Sequence, residues 1–342
     1  TVTEQNPASY LQTHGNALFV VDTAAATDLK RIKTPWLVED VVWDNQMTKK
    51  AVCSLSLELG KPILKLTNKD YNDNGLSELL AGYGQAYDIN IDVFNDLQHS
   101  ITGWPGGKPN ADDTNRPERA QPEKKRVIIF SPHPDDDIIS MGGTFQRLVD
   151  QGHEVHVAYQ TSGNIAVSDD EALRFIDFVV DYNRNFGINN EKAEKIFEDA
   201  KLSIRDKKGS EVDSEAVRHV KGIIRRGEAK ATCRFVGIPT ENAHFLNMPF
   251  YETGKVQKAP LGKADIDIVK NLIEEIKPHQ IYAAGDLADP HGTHKVCLDA
   301  IFEAVNQIKH KNFMKDCWVW LYRGAWAEWE IHEIEMAVPM SP

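Results

Sequence analysis

The fold is decided by residues 126–160, RVIIFSPHPDDDIISMGGTFQRLVDQGHEVHVAYQ. Arg126–Ser131 is rich in β-branched and apolar residues and predicts a buried strand. Thr144–Asp150 predicts a short helix that ends at Gly152, and Glu154–Gln160 predicts the next strand. A strand, a helix and a strand in so short a stretch form a βαβ unit, which requires a parallel sheet. We therefore predict an α/β fold, a Rossmann-like, mostly parallel sheet flanked by helices.

The same alternation continues along the chain. A capping box at 168–171 predicts a helix to about Phe186, and residues 192–227 are polar and predicted to be mostly helical. Three further elements follow, namely a helix over 265–276, a strand over 280–285 and a helix over 294–308. The last predicted strand is Cys317–Tyr322.

The region before residue 126 has a different character. The stretch 103–125 contains four prolines and three glycines and is expected to be a linker. Residues 1–102 predict a small, partial α/β segment, with short strands at 16–22 and 63–66 and a helix over about 23–32. We expect the main α/β domain to occupy residues 126–342.

Composition limits the classes of partner. The chain has 342 residues, with 39 Lys and Arg against 51 Asp and Glu, for a formal net charge of −12. This acidic balance argues against nucleic acid and anionic membranes as partners. No run of 18 apolar residues is present, and the first residues do not resemble a secretory signal. The cysteines are scattered and form no C-x-x-C pair, which favours a reducing, cytoplasmic location; they are Cys53, Cys233, Cys297 and Cys317.

A histidine and three aspartates follow the first predicted strand, in SPHPDDD at residues 131–137. Ligands bind at the carboxyl ends of the strands in open parallel sheets. Three consecutive carboxylates repel one another unless a cation or hydrogen-bond donors offset their charge. With the histidine they form a nitrogen and oxygen ligand set that suits Zn²⁺ or a similar divalent ion. The alternative without a metal is that these carboxylates stand at the start of a helix, where the helix dipole stabilises their negative charge.

Two more histidines follow the predicted strand 280–285, in DPHGTH at residues 289–294. Because both strands belong to the predicted parallel sheet, the two loops should lie at the same sheet edge. His291 and His294 are three residues apart at a loop-to-helix junction, so both can face one site. Together the loops predict a three-ligand metal site with positions open for water and substrate. Asp289 is a candidate partner of His291, or the N-cap of the helix.

The stretch SPHPDDDIISMGGT, residues 131–144, resembles the signature loop of the PIG-L/LmbE-like metal-dependent de-N-acetylases. That loop reads His-Pro-Asp-Asp-(Glu/Asp) and is followed by Gly-Gly-Thr. HGTH at 291–294 is similar to the family's second motif, His-Pro-Asp-His, with Gly292 and Thr293 in place of Pro and Asp. The resemblance covers roughly residues 125–330. It implies a zinc-dependent hydrolase that removes an N-acetyl group.

The resemblance also implies roles for individual residues. The metal, Zn²⁺ or another divalent ion, would be bound by His133, Asp136 and His294. Asp135 would be the general base that takes a proton from the attacking water, and His291 would be the acid or electrophilic group that stabilises the oxyanion.

Two further segments are similar to family motifs. TSGN at 161–164 stands where the family has Thr-x-Gly-Glu, with Asn164 in place of the acid. RRGE at 225–228 resembles the family's Arg-x-x-Glu segment, whose arginine can contact substrate. Asn164, Arg225 and Arg226 are therefore candidate substrate-binding residues.

The stretch Pro7–Val38 resembles the last strand and helix of glucosamine-6-phosphate deaminases, some bacterial forms of which are fused to a PIG-L/LmbE-like domain. The resemblance implies that residues 1–102 are the tail of a deaminase-like domain plus a connector. The deaminase's acid and base residues lie upstream of this segment in that family, so we expect no deaminase activity from this chain.

The leading hypothesis is a zinc-dependent hydrolase that removes an N-acetyl group from an amino sugar or its phosphate. One alternative is a HAD-type phosphotransferase, because Asp135 and Asp137 after a strand imitate its Asp-x-Asp motif. The other is a non-catalytic sugar-binding or assembly domain. The expected partner is a small-molecule amino sugar, and the sequence leaves a homo-oligomer open.

Overall fold

Contacts within the chain divide it into two units. The first comprises Thr1–Ser100 and Glu330–Glu335, and the second Ile101–Trp329 and Met336–Pro342. The computed structural model describes residues 2–21, 25–188, 191–208, 211–253, 258–285, 292–324 and 327–340. No helix in these ranges is both long and apolar enough to cross a membrane.

The regular elements of the first unit are helices. They are α1 (Lys30–Lys33), α2 (Asn45–Leu59), α3 (Asn68–Asp73), α4 (Ser77–Tyr83) and α5 (Ala86–Ser100), with short 3₁₀ turns at Pro7–Thr13, Pro35–Leu37, Ile63–Lys65 and Ile331–Glu333. Asp44 caps α2 by accepting the backbone N–H of Met47, and Thr67 and Asp70 form a capping box at α3. The core of this unit is built around Tyr71, whose hydroxyl donates to the Asn90 side chain at 2.8 Å.

The first unit differs from the prediction at three segments. Residues 17–21 form neither helix nor strand, and Leu18 and Val20 are 90% and 89% exposed. A strand needs a neighbour to bond its backbone, and no described residue pairs with this run, so the predicted buried strand at 16–22 is wrong over its described part. Ile63–Lys65 is a 3₁₀ turn rather than a strand, and the helix expected from about residue 23 begins only at Lys30.

The second unit contains the predicted parallel sheet. Its described strands are β1 (Arg126–Ser131), β2 (Glu154–Tyr159), β3 (Ala243–Phe245), β4 (Gln280–Ala284) and β5 (Trp318–Tyr322). The order across the sheet is β3-β2-β1-β4-β5, and each neighbouring pair is parallel. The α/β, mostly parallel fold class is confirmed.

The described helices of the second unit are α6 (Asp136–Asp150), α7 (Asp169–Asn185), α8 (Glu191–Asp206), α9 (Glu215–Val236), α10 (Lys263–Ile276) and α11 (Thr293–Ile308). On one face of the sheet pack α10 and α11, and on the other α6 and α9, whereas α7 and α8 pack with α9. Alternate residues of β1 point to opposite faces: Phe130 packs in the cluster with α10 and α11, and Ile129 in the cluster with α6 and α9. The helix predicted over 144–150 begins earlier, at Asp136, with a non-helical residue at Met141. The polar region 192–227 forms two helices, α8 and part of α9.

The strand order creates a topological switch point. The chain passes from β1 through α6 to β2 on one side, whereas β4 and β5 lie on the other side of β1. In open parallel sheets, a switch point of this kind forms a crevice at the carboxyl ends of the two strands, where ligands bind. Both predicted histidine motifs begin at the carboxyl ends of these two strands.

The proline-rich stretch 103–125 packs within the second unit. Gln280 of β4 donates from its side chain to the carbonyls of Pro105, at 3.4 Å, and Glu118, at 3.3 Å. Gly107 has a φ of +96°, and a Cβ built there would lie 2.2 Å from the carbonyl oxygen of Arg119. Only glycine fits this position without strain. The stretch lacks helices and strands apart from one 3₁₀ turn among its residues, but it is held by specific contacts.

Four charged side chains form ion pairs that connect the region of helices α7 to α9. The ammonium of Lys221, which is buried, lies 2.6 Å from Asp169 and 2.7 Å from Asp213. Lys207 contacts the same two carboxylates at 2.6 and 2.8 Å. Each cation is thus shared by two anions, which offsets the cost of removing Lys221 from water. The arrangement fixes the start of α9, the helix that lines the candidate site.

Candidate active site

Three of the predicted residues converge at the switch point. One carboxylate oxygen of Asp136, Oδ2, lies 3.1 Å from His133 Nδ1 and 3.3 Å from His294 Nε2. The two imidazole centroids are 5.3 Å apart. One ligand atom from each of the three residues lies within 4.8 Å of the others. Asp136 and His294 are buried and His133 is half-buried, so the cluster is partly accessible to solvent.

The local sequence explains this convergence. His133 stands two residues beyond β1, between two prolines that restrict the backbone. Asp136 begins α6, and its side chain turns back to accept the backbone N–H of His133 at 2.9 Å. His294 is the second residue of α11, which brings it to the same edge from the β4 side.

The electrostatics of Asp136 favour its charged form. Burial opposes ionisation, but the hydrogen bonds from the His133 and His294 rings outweigh that cost and hold the pKa of Asp136 well below its usual range. A buried carboxylate that stays ionised between two imidazoles is a negatively charged centre with nitrogen donors on either side. Such a donor set is typical of sites for borderline divalent cations.

Asp135 has a different environment, although it is the next residue. Its carboxylate lies 2.6 Å from the guanidinium of Arg225, on α9, and it remains 38% exposed. Arg225 also contacts Glu228 at 2.6 Å, and its side chain is only 14% exposed. Although burial opposes it, these two carboxylates raise the pKa of Arg225. The arginine therefore holds Asp135 in place, beside the cluster and not within it.

Asp137 points into the interior. It is 1% exposed, accepts the Tyr159 hydroxyl at 3.0 Å and lies 3.3 Å from the Ser131 hydroxyl. Burial raises the pKa of Asp137 to about 6 despite these hydrogen bonds. A side chain enclosed in this way cannot meet a phosphoryl group beside Asp135. The position of Asp137 therefore argues against the Asp-x-Asp phosphotransferase.

The segment 161–164 forms a wall next to these residues. Gly163 has a φ of +65°, and a Cβ there would lie 2.8 Å from the Pro134 ring, so the close approach requires glycine. Asn164 is buried, and its amide donates to Ser162 at 2.7 Å and to Glu252 at 3.3 Å. Asn164 therefore bonds within the protein, as part of a network centred on Glu252.

Some residues singled out in the sequence are placed elsewhere. His291 and Asp289 lie outside the described residues. Arg226 is exposed and stacks on the Phe245 ring at 4.3 Å. None of the cysteines is in a disulfide, and all are buried except Cys317, which is half-buried.

Sequence reasoning missed two contributions to the site. The pairing of Arg225 with Asp135 joins residues 90 positions apart, and no local pattern announces it. Glu252 accepts the backbone N–H and hydroxyl of Ser162 at 2.9 and 3.0 Å. The family motif has its acid at the position of Asn164, whereas the hydrogen-bond network of this wall has its carboxylate at Glu252.

Comparison with known families assigns this part of the chain. The family described as PIG-L, GlcNAc-PI de-N-acetylase, matches residues 128–305, which include both histidine motifs. The chain belongs to the PIG-L family.

Individual relatives carry related names. A protein of Bacteroides thetaiotaomicron named "Putative glucosamine-6-phosphate deaminase-like protein" is 59% identical over 345 residues, covering 100% of this chain and 52% of that protein. The chain thus spans about half the length of this relative. Diacetylchitobiose deacetylase of Thermococcus kodakarensis is 40% identical over 47 residues, 14% of this chain and 18% of that protein.

Among solved structures, N,N′-diacetylchitobiose deacetylase from Pyrococcus horikoshii is similar at 21% identity, with a TM-score of 0.35. The match covers 56% of this chain and 53% of that chain.

Proposed function

We propose that the chain is a metal-dependent hydrolase that removes an N-acetyl group from an amino sugar or an amino-sugar phosphate. The observation that carries this proposal is the convergence of His133, Asp136 and His294 inside the segment that matches the PIG-L family. Two histidines and one ionised aspartate, partly open to solvent, are suited to a metal that must also meet a substrate.

The residues fit a divalent ion. Two ligand atoms that each lie about 2.1 Å from a tetrahedral ion are about 3.4 Å apart, close to the spacing between the Asp136 oxygen and either imidazole nitrogen. Both the nitrogen and the oxygen donors are types that Zn²⁺ accepts. We therefore propose Zn²⁺ as the ion, held by His133, Asp136 and His294. When bound, such an ion acts as a Lewis acid toward water and the substrate carbonyl.

The other residues supply proton transfer and orientation. Asp135 stands next to the ligand Asp136 with an exposed carboxylate oxygen, so it is placed to accept a proton from the attacking water. Arg225 orients that carboxylate from α9. We propose His291 as the group that stabilises the developing oxyanion and protonates the leaving amine.

The organisation of the chain is also part of the proposal. We propose that residues 1–102 are the tail of a glucosamine-6-phosphate deaminase-like domain plus a connector, that 103–125 join it to the rest, and that 126–342 form the de-N-acetylase domain. The name of the relative that is 59% identical supports a role in amino-sugar metabolism. A soluble amino sugar is then the expected substrate, acted on in the cytoplasm.

The test combines metal content and acetate release. The purified chain should contain about one divalent metal by elemental analysis and release acetate from N-acetylglucosamine or its 6-phosphate. A chelator should abolish release and added zinc should restore it.

His133→Ala should lose both properties. His156→Ala is the matched control, because His156 is a half-buried histidine of β2 that contacts His244 and not the cluster. Acetate release that persists without metal would overturn the proposal, and a chain that binds metal without hydrolysis would favour the non-catalytic alternative.

A further inference from the structure

A cavity of about 390 Å³ lies beside the candidate site, along one face of α9. Pro134, which stands between His133 and Asp135, forms part of its wall. The residues that α9 contributes share one face because the helix turns every 3.6 residues; they are Glu215, Arg218, His219, Gly222, Ile223 and Arg226. The cavity therefore reaches from the loop that holds His133 and Asp135 along α9, and it has room for substrate groups beyond the acetamide.

Two arginines of this cavity have guanidinium groups that are not paired with a carboxylate of the described residues. The guanidinium carbon of Arg226 lies over the Phe245 ring, 4.3 Å from the ring centroid. Arg218 donates to the carbonyl of Asp213 at 3.2 Å. The neighbouring Arg225, in contrast, is engaged by Asp135 and Glu228. The contact with Phe245 does not use the N–H donors of Arg226 as donors to a carboxylate, so a ligand in the cavity can accept them.

Two carboxylates line the cavity, those of Glu215 and Glu252. Glu252 accepts hydrogen bonds from Ser162 and Asn164. Glu215 is the first residue of α9, eleven residues before Arg226, which corresponds to about 16 Å along the helix axis. Arg226 therefore lies well away from Glu215 along the helix, whereas Arg218 is only three residues from Glu215.

We propose that the part of the cavity beside Arg226 binds an anionic substituent of the substrate, a phosphate ester, with Arg226 as its main contact. The inference rests on the proposed function and narrows it, because it selects amino-sugar phosphates over neutral amino sugars. A planar guanidinium can form two parallel hydrogen bonds to phosphate oxygens, which a neutral sugar hydroxyl cannot reproduce. Arg226 thereby acts as a specificity-determining residue.

The experiment measures binding separately from catalysis. Calorimetry with the whole chain compares N-acetylglucosamine 6-phosphate with N-acetylglucosamine, with a chelator present so that phosphate cannot bind a metal. The phosphorylated sugar should bind at least about tenfold more tightly, and Arg226→Gln should remove most of that difference. Arg226→Lys keeps the charge and should retain part of it. Arg234→Gln, on the same helix but outside the cavity, is the matched control and should behave as the original chain.

Kinetics then test the role in turnover. Arg226→Gln should raise KM for the phosphorylated sugar by about tenfold and leave KM for the neutral sugar within about twofold. Equal weakening of both sugars would mean that Arg226 only shapes the cavity, and would overturn the inference. A preference for the phosphorylated sugar that is present without the chelator and absent with it would also overturn the inference. If no sugar is hydrolysed, the proposed function fails, while the calorimetric comparison still decides whether the phosphate subsite exists.

Discussion

The two edges of the parallel sheet use histidine in opposite ways. At the amino edge, His279 accepts the backbone N–H of Arg126 at 2.9 Å, and His153 accepts that of Lys125 at 3.2 Å. At the carboxyl edge, His133 and His294 both direct a ring nitrogen at one carboxylate oxygen of Asp136. The first pair completes the hydrogen bonding of the backbone. The rings of the second pair contact a side chain instead, and they bring two ring nitrogens to one carboxylate.

This difference separates structural from functional histidines by what they bond. A histidine that accepts one backbone N–H serves the fold itself, and burial lowers the pKa of the ring, as it does for His153 and His279. Side chains that converge on each other from two distant loops point to a ligand instead. The predictions below test this distinction at both edges.

The largest effect is expected from removing a histidine of the carboxyl edge. His294→Ala should lose most of the bound zinc and reduce deacetylation to background, because it removes one of three proposed ligands. His279→Asn is the matched change at the amino edge, where the Asn oxygen can accept the N–H of Arg126. It should keep its zinc. Elemental analysis of both variants measures the outcome, and equal zinc loss in the two would break the comparison.

The next effect separates the neighbouring aspartates within the carboxyl edge. Asp135→Asn should keep the metal and lower the deacetylation rate by about 10²–10⁴-fold, as removal of a general base does. Asp136→Asn should weaken metal binding, and excess zinc should partly restore its activity. Metal occupancy and rate are measured side by side. If Asp135→Asn loses the metal while Asp136→Asn keeps it, the two roles are reversed.

A pH-dependent effect is expected at the amino edge. Burial, with a further contribution from the charge of Lys125, lowers the pKa of His153 to about 4. Between pH 6.5 and 4 the unfolded chain therefore binds a proton that the folded chain does not, so the free energy of unfolding falls as the pH falls through this window. The contribution is about 3 kcal/mol, fully present above pH 6.5 and lost by pH 4.

Urea denaturation of the original chain and of His153→Asn, at pH 7 and pH 4.5, measures this contribution. The asparagine oxygen can still accept the Lys125 N–H but does not titrate, so the variant should lose less stability on acidification. An identical loss in both proteins would show that His153 does not govern the acid response.

The smallest effect concerns the packed stretch that leads into the amino edge. Gly107→Ala should lower the free energy of unfolding by about 2 kcal/mol, because φ is positive and the new methyl group meets the Arg119 carbonyl. Gly103→Ala lies in the same stretch, has nothing within 4 Å of the added Cβ and should change stability little. Thermal unfolding with zinc content as a second readout tests the pair. An unchanged melting temperature for Gly107→Ala would show that the stretch is a loose linker.

The sequence predicts the second unit well because its signals are regular. Residues 126–131 and 154–159 are apolar runs separated by a short helix, and this pattern has one stable arrangement, a parallel pair. The run at 17–21 is equally apolar, but a strand is defined by its neighbour, and composition does not supply one. The same limit applies at 63–65, since short apolar runs do not distinguish strands from tight turns.

The candidate site was partly predictable for the same reason. The carboxyl ends of parallel strands share an edge, so His133, Asp136 and His294 could be brought together from their positions after strands. The contact between Arg225 and Asp135 depends on how α9 packs against the sheet, and the network around Glu252 depends on the path of the chain after β3. Neither follows from spacing along the chain.

The strand order has a consequence for how the protein assembles. His133 and His294 stand about 160 positions apart, and they come together only where β4 pairs with β1. The proposed metal ligands therefore belong to the two halves of the sheet that meet at β1 and β4. An ion held by the proposed ligands would link the two halves of the sheet across its middle, so we expect its removal to speed unfolding of the domain.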